Sequence, residues 1–304
     1  MTSWEIKMDN FDKKFLLNNE YRRSISSLSE FASIIYYIKS NKNKRILIDL
    51  TEYNYINPSY AVIIAAIPYI AEATGNKSVI RYLANDTKCS DFLNNSGILK
   101  HYKANNNDVL NLKSSVDFIV VKSVDQGENV ANSIIDKFPV KLEKDIKDEL
   151  ISKIYEVFAN SFTHSKVDKV FCCGYYNQKK SLIFSIYDIG IGIPESVNKY
   201  LKEKNRNILS EENALKWAWQ QGNSTLNGIK DYPRGAGFQT LESFAIENQG
   251  DILVGSNRAC CKISSKSKLF TQLNEPILGT FFSMQIRKDL IHKYSKNNNQ
   301  VICI

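Results

Sequence analysis

Apolar residues recur along this chain with two different periods, and the switches between them mark out its elements. Leu28–Ser40 repeats its apolar positions three and four residues apart, which predicts an amphipathic helix. Arg45–Leu50 (RILIDL) is a short apolar run of β-rich character and predicts a strand. A polar loop, Thr51–Pro58, leads to Ser59–Thr74, whose alanines and isoleucines suit a buried helix. Pro68 is expected to kink that helix or end its first part, because it lacks the N–H that the helix ladder needs. Gly75 then stops it. Ser78–Leu83 reads as a strand, and Ser90–Asn95 as a short helix ending at Gly97. This strand–helix–strand alternation predicts an α/β domain. His101–Asp145 is less regular, with one clear strand at Val116–Lys122.

The pattern sharpens from Val140. Val140–His164 reads as one long amphipathic helix. Val167–Asn177 and Ser181–Asp188 follow as strands joined by a polar turn, Gln178–Lys180. Pro194 suits the first turn of a helix running through Tyr200. Glu211–Gln221 and Phe238–Asn248 read as helices on either side of a mobile-looking stretch, Gly222–Pro233. Asp251–Ser256, Ala259–Ser264 and Thr280–Arg287 read as antiparallel strands. The expected organisation is an α/β domain over 1–105, a connecting segment 106–139, a second α/β domain over 140–290 and a tail, 291–304.

Composition adds few constraints. The 304 residues are 43% hydrophobic and 24% charged, a balance that suits soluble globular domains. The longest apolar run, Ala61–Ala71, is far shorter than the roughly 20 residues of a membrane span. Met1–Asn10 has no apolar core of signal-peptide type. The six cysteines form no C-x-x-C pair, which predicts reduced thiols rather than zinc or disulfides. A cytoplasmic protein is the expectation. The net charge of +8 raises the question of nucleic acid, but the lysines are scattered along the sequence rather than gathered in one block. That weighs against direct nucleic-acid binding and favours a basic surface that also suits a polyanionic nucleotide.

Four segments carry candidate chemistry. Glu156, Asn160 and His164 lie four residues apart and share one helix face. The Asn160 amide oxygen is a hard donor of the kind magnesium takes, and a carboxylate one turn away can position or deprotonate water. Asp188-Ile189-Gly190-Ile191-Gly192-Ile193-Pro194 closes a strand. A carboxylate there can accept a hydrogen bond from the exocyclic amine of adenine, and the glycines let backbone approach a base. Arg234-Gly235-Ala236-Gly237 runs straight into a helix, where exposed N–H groups and the helix dipole hold phosphate oxygens. Lys230 and Arg234 would add charge. Gly279-Thr280 begins the last strand and offers a hydroxyl.

In this order these boxes resemble the GHKL family of ATPases (gyrase, heat-shock chaperone, histidine kinase and MutL) over roughly Val140–Arg287. E-x-x-x-N matches Glu156–Asn160, D-x-G-x-G-I-P matches Asp188–Pro194, the second glycine box matches Arg234–Gly237, and the terminal G-T matches Gly279–Thr280. The resemblance implies an α/β sandwich whose mixed sheet is covered on one face by helices. It implies ATP and Mg2+ as ligands, Glu156 as general base or water positioner, and Asn160 as magnesium ligand. It implies Asp188 as adenine reader, Gly192 as the point of base approach, and Gly235 and Gly237 as phosphate cradle under a lid at Gly222–Pro233. Asn10–Lys103 is similar, more weakly, to the STAS domain, on Ile46–Leu50, Ile56–Ser59, Asp91–Leu93 and Ser96–Ile98. Phosphorylated members carry Ser or Thr near the position of Ser59. The usual Asp-Ser-Ser-Gly run is missing here, so Ser59 reads as a helix cap.

Three functions follow from these residues. A slow magnesium-dependent ATPase would act as a conformational switch that signals to a protein partner, or a second copy, through the N-terminal domain. A serine/threonine kinase of anti-sigma-factor type would use the same pocket. A non-hydrolysing ATP-gated interaction module would need no Glu156 chemistry.

Overall fold

A computed structural model describes residues 11–83, 87–102, 115–136, 142–165, 167–177, 181–220, 222–223 and 237–287. The first part runs β1 (Lys13–Leu16), β2 (Glu20–Tyr21), α1 (Ile25–Ser40), β3 (Arg45–Asp49), β4 (Tyr55–Ile56), α2 (Ala61–Ala73), β5 (Lys77–Arg81), α3 (Thr87–Asn95) and α4 (Ile98–Tyr102). The second runs β6 (Ser115–Val121), α5 (Val124–Asp136), α6 (Lys144–Ser165), β7 (Val170–Asn177), β8 (Ser181–Asp188), α7 (Ile193–Glu203), α8 (Glu211–Ala218), α9 (Gly237–Glu247), β9 (Asp251–Ser264) and β10 (Ser267–Arg287). The whole is a mixed α/β architecture.

Among the described residues the strands form three sheets. One has three parallel strands in the order β1-β3-β5, one pairs β2 with β4, and one has five strands in the order β6-β7-β8-β10-β9. All four pairings in the five-stranded sheet are antiparallel. The family resemblance implied a mixed sheet. Hairpin connections from β7 to β8 and from β9 to β10 reverse the chain at each step and leave these neighbours no parallel option. Ser115–Val121, inside the expected connecting segment, is an edge strand of this sheet.

Both faces of the five-stranded sheet are covered, where helices on one face were expected. Side chains alternate across a strand, so each strand serves two cores. Val170, Cys172, Phe184, Ile252, Val254, Phe282 and Met284 pack with residues of α5, α6 and α9. Phe171, Cys173, Tyr187, Leu253, Cys260 and Phe281 pack with residues of α1 and α2. β8 is buried at every position, which is why its sequence reads as a nearly unbroken apolar run. The same alternation sends Cys172 and Cys173, and likewise Cys260 and Cys261, to opposite cores. All four are free thiols, and burial pushes each thiol well up.

Several local expectations change in detail. α1 starts at Ile25, because the Ser24 side chain accepts from the Ser27 N–H and caps it there. α2 runs through Pro68 without ending. Nine of its 13 residues are buried, and that burial outweighs the roughly 3 kcal/mol cost of an internal proline. Ser59 does not cap. It sits in a 3-10 turn, Pro58–Tyr60, whose cap is the Asn57 side chain accepting from the Ser59 N–H at 3.1 Å. The Ser59 hydroxyl is fully buried, with no hydrogen-bond partner among the described residues. β9 and β10 are longer than the three short strands expected, and pair from Ser264–Ser267 down to Asp251–Gln285 across a bulged stretch.

A buried ion pair ties the N-terminal part to the sheet. Arg23, 7% exposed, pairs with Asp251 at the start of β9 and also donates to the Ser283 carbonyl on β10. Lys262 on β9 donates to the Arg23 carbonyl at 2.8 Å. Beside it, Phe31, Tyr60 and Phe281 stack with centroids 4.8 and 6.0 Å apart. Arg23→Met leaves the Asp251 carboxylate without its charge partner, and about 3 kcal/mol of stability should be lost in urea unfolding. Adding Asp251→Leu should restore most of it, since an apolar pair needs no desolvation.

Candidate functional site

β8 ends at Asp188, and the chain then turns through Gly190 and Gly192 into α7. The Asp188 side chain is 2% exposed. Its Oδ1 accepts from the Gly190 N–H at 3.0 Å, an Asx turn that pins the carboxylate to its own loop. Its Oδ2 lies 3.0 Å from the Ser161 Oγ on α6. The neighbouring Tyr187 phenol is fully buried and pushed far up, first by burial and then by the Asp188 charge.

The terminal Gly-Thr pair meets this turn directly. Thr280 is the antiparallel register partner of Asp188. Gly279 has φ +74°, and a Cβ there would lie 2.1 Å from the Asp188 carbonyl oxygen. Only glycine lets β10 approach so closely. Ser256 on β9 binds the two segments together. Its Oγ accepts from the Ile193 N–H at 2.8 Å and lies 3.0 Å from both the Gly279 carbonyl and the Thr280 Oγ1. Thr280 thus spends its hydroxyl, at least in part, on this buried serine.

Glu156 and Asn160 lie one turn apart on α6, both half-buried. They flank Val157 and Ser161, which face inward. Because Ser161 touches Asp188 and follows Asn160 in sequence, the candidate metal ligand and the candidate adenine reader lie at the same end of α6. Glu156 has Lys153 at 3.6 Å, one turn back. His164 lies further along the same helix. Gly237 is the first residue of α9, which packs on α6 and β9. Lys230, Arg234 and Gly235, and with them most of the expected lid, lie outside the described residues.

Glu156, Asn160, Asp188, Gly190, Gly192, Gly237 and Thr280 are therefore on elements that touch one another. Sequence reasoning missed Ser161, Ser256 and Asn257. Ser161 was within reach, since the residue after Asn160 turns by about 100° toward the core face. Nothing local marks Ser256. Among the described residues no three or more His, Cys, Asp or Glu side chains converge as a metal site would require. A surface cavity of about 510 Å³ shares no residue with this constellation and opens between Ser29, Glu30 and Ser33 of α1 and Gln272 and Asn274 of β10.

Gly192 caps α7 with φ +84°, and a Cβ on it would fall 2.0 Å from the Asn257 Oδ1. The space that the missing side chain leaves is taken by the Asn257 carboxamide, which donates to the Ile191 carbonyl at 3.0 Å. Gly192→Ala should therefore cost about 2–4 kcal/mol in thermal or urea unfolding, from positive φ and overpacking together. Adding Asn257→Gly should recover the overpacking share and leave the φ share.

No protein-family model, no curated protein and no solved structure matches the chain.

Proposed function

We propose that the second part of the chain is a GHKL-type ATP-binding unit, and that the protein is a slow magnesium-dependent ATPase serving as a nucleotide-driven switch. In this reading residues 1–105 are a STAS-like unit that passes the nucleotide state to a protein partner. The observation that carries the proposal is the Asp188 carboxylate, buried at a strand end and held by the Gly190 N–H and the Ser161 hydroxyl. A buried acid fixed as an acceptor suits a ligand that brings its own N–H donor, such as the amine of adenine.

The residues fit ATP with magnesium in kind. Magnesium keeps several waters and binds through few protein groups plus substrate phosphates, so one amide oxygen suits it without an acidic cluster. Bound there, it would neutralise phosphate charge during transfer. The chain's own residues divide the remaining work. Asp188 accepts the adenine amine, and the turn through Gly190 brings backbone beside the base. Asn160 supplies the amide oxygen. Glu156 orients a water for attack and takes its proton, with Lys153 at 3.6 Å one turn back on the same helix. The helix that Gly237 opens directs N–H groups at phosphate, and Lys230, Arg234 and Gly235 precede it in the sequence. The kinase reading has no target in its own N-terminal unit at Ser59, since that hydroxyl is fully buried.

Titration calorimetry with ATP and magnesium should show saturable heat. Asp188→Asn should weaken binding about 10- to 100-fold, the worth of one charged hydrogen bond. Glu156→Ala should keep binding and slow phosphate release by about a hundredfold or more. Absence of heat with the unaltered protein defeats the nucleotide reading. Unchanged turnover in Glu156→Ala defeats the hydrolytic role alone.

A further inference from the structure

The lysines that look scattered in the sequence are gathered by the fold. β1, β3 and β5 run parallel, so their N-terminal ends share one rim of the sheet. Arg45 is the register partner of Lys77 and shares its face, while Lys13 pairs with Ile46 and leaves the same rim on the other face. Neighbouring strands stand about 4.8 Å apart. The C-terminal end of α1 brings Lys39 and Lys42 to the same rim.

A buried amide holds this arrangement in place. The Asn76 side chain, 4% exposed, accepts from the Lys44 N–H at 2.8 Å. Its Nδ2 lies 2.8 Å from the carbonyls of both Ile38 and Asn41. The Lys77 N–H donates to the Lys44 carbonyl at 2.8 Å. One asparagine thus locks the end of α1, the following turn and the start of β5 together. The backbone positions that carry Lys39, Lys42 and Lys77 are held together by it.

Lys13, Lys39, Lys42, Arg45 and Lys77 are exposed, and none makes an ion pair among the described residues. Lys44 has Asp12 at 3.8 Å. The α1 dipole offsets Lys39 in part. Cations on one rim repel one another over a Debye length of about 8 Å, and an outside anion relieves that repulsion. Aromatic rings are interleaved with these charges. Lys13 Nζ lies 5.3 Å from the Phe15 ring and 5.5 Å from the Tyr37 ring, and the Arg45 guanidinium is 5.5 Å from the Phe11 ring. Tyr36 on α1 is 40% exposed.

We propose that this rim binds the phosphate backbone of single-stranded nucleic acid, with Tyr36 as a platform for a base. Cations at strand spacing beside exposed aromatic surface are what such a polymer requires: charge tracks its backbone, and rings accept any base face. An acidic protein would use the charge but not the rings. A membrane surface would need a broader apolar face than Leu16 and Tyr36 provide. The proposal is independent of the nucleotide site.

Fluorescence anisotropy of a labelled oligo(dT) with the full chain tests it. With five contacted phosphates, log K should fall with log salt at a slope of about −3.5, a loss of about a hundredfold between about 50 and 200 mM. Lys13→Glu/Arg45→Glu/Lys77→Glu should lose at least tenfold in affinity and flatten the slope. The milder Lys39→Ala/Lys42→Ala serves if the triple variant melts early, and should lose several-fold. Tyr36→Ala should lose about fivefold or more, the low end of one stacked base. Lys199→Glu/Lys202→Glu on α7 should change nothing. The proposal is overturned by no binding at low salt, by equal losses in the α7 variant, or by preferential binding to polyglutamate or phosphatidylserine vesicles.

Discussion

A five-stranded sheet with apolar side chains on both faces must be dry on both sides, and this requirement organises the molecule. α5, α6 and α9 cover one face, and α1 and α2 cover the other. Each large apolar side chain buried this way contributes roughly 1.5–3 kcal/mol. The second face carries Phe171, Tyr187, Leu253 and Phe281, so its cover is worth several times any single polar contact between the two parts. The N-terminal part is in that sense structural, and its short parallel sheet stands behind the helices that do the covering. Arg23 and Asp251 add direction to an otherwise greasy contact, because an ion pair is satisfied in one register only.

Periodicity made most of the elements legible. α6, β7, β8 and α9 stand close to where their apolar spacing put them, because each has one dominant periodic face or a short buried run. Where two demands compete, the sequence is silent or misleading. β1, β2 and β4 are too short to show a period. α5 carries Gly127 in its first turns, a residue that weakens a helix, yet a Cβ there would lie 2.8 Å from the Phe158 side chain. Close packing on α6 chose glycine, and local propensity gave way. The bulged middle of β10, with Pro276 and Gly279, reads as loop but is held in the sheet by β9.

The candidate site was legible as far as its spacing. Glu156 and Asn160, Asp188, and Gly279 with Thr280 each announce themselves by residue type and position. What binds them does not, because Ser161, Ser256 and Asn257 have meaning only through distant partners. Ser256 lies 63 residues from Ile193 and 24 from Thr280 along the chain, yet one oxygen serves both. The basic rim is the same lesson at larger scale. Thirty-two residues separate Lys44 from Asn76, yet their hydrogen bond joins the turn after α1 to the start of β5.

β10 is where the site and the N-terminal part share material. Thr280 pairs with Asp188 at the end of β8, while Phe281 and Ser283 face the other way, toward Tyr60 and Arg23. Thr280 and Phe281 are consecutive residues of one strand paired on both sides, which makes the two ends contiguous. Contiguity alone does not make a signal, however: coupling requires an element with two arrangements that both ends bias. The stacked rings of Phe31, Tyr60 and Phe281 do not slide freely in a close-packed core. The buried Arg23 charge does not leave Asp251 cheaply. The N-terminal part is therefore held on the sheet through β10, and a response to a ligand at Asp188 would have to reach it along this strand.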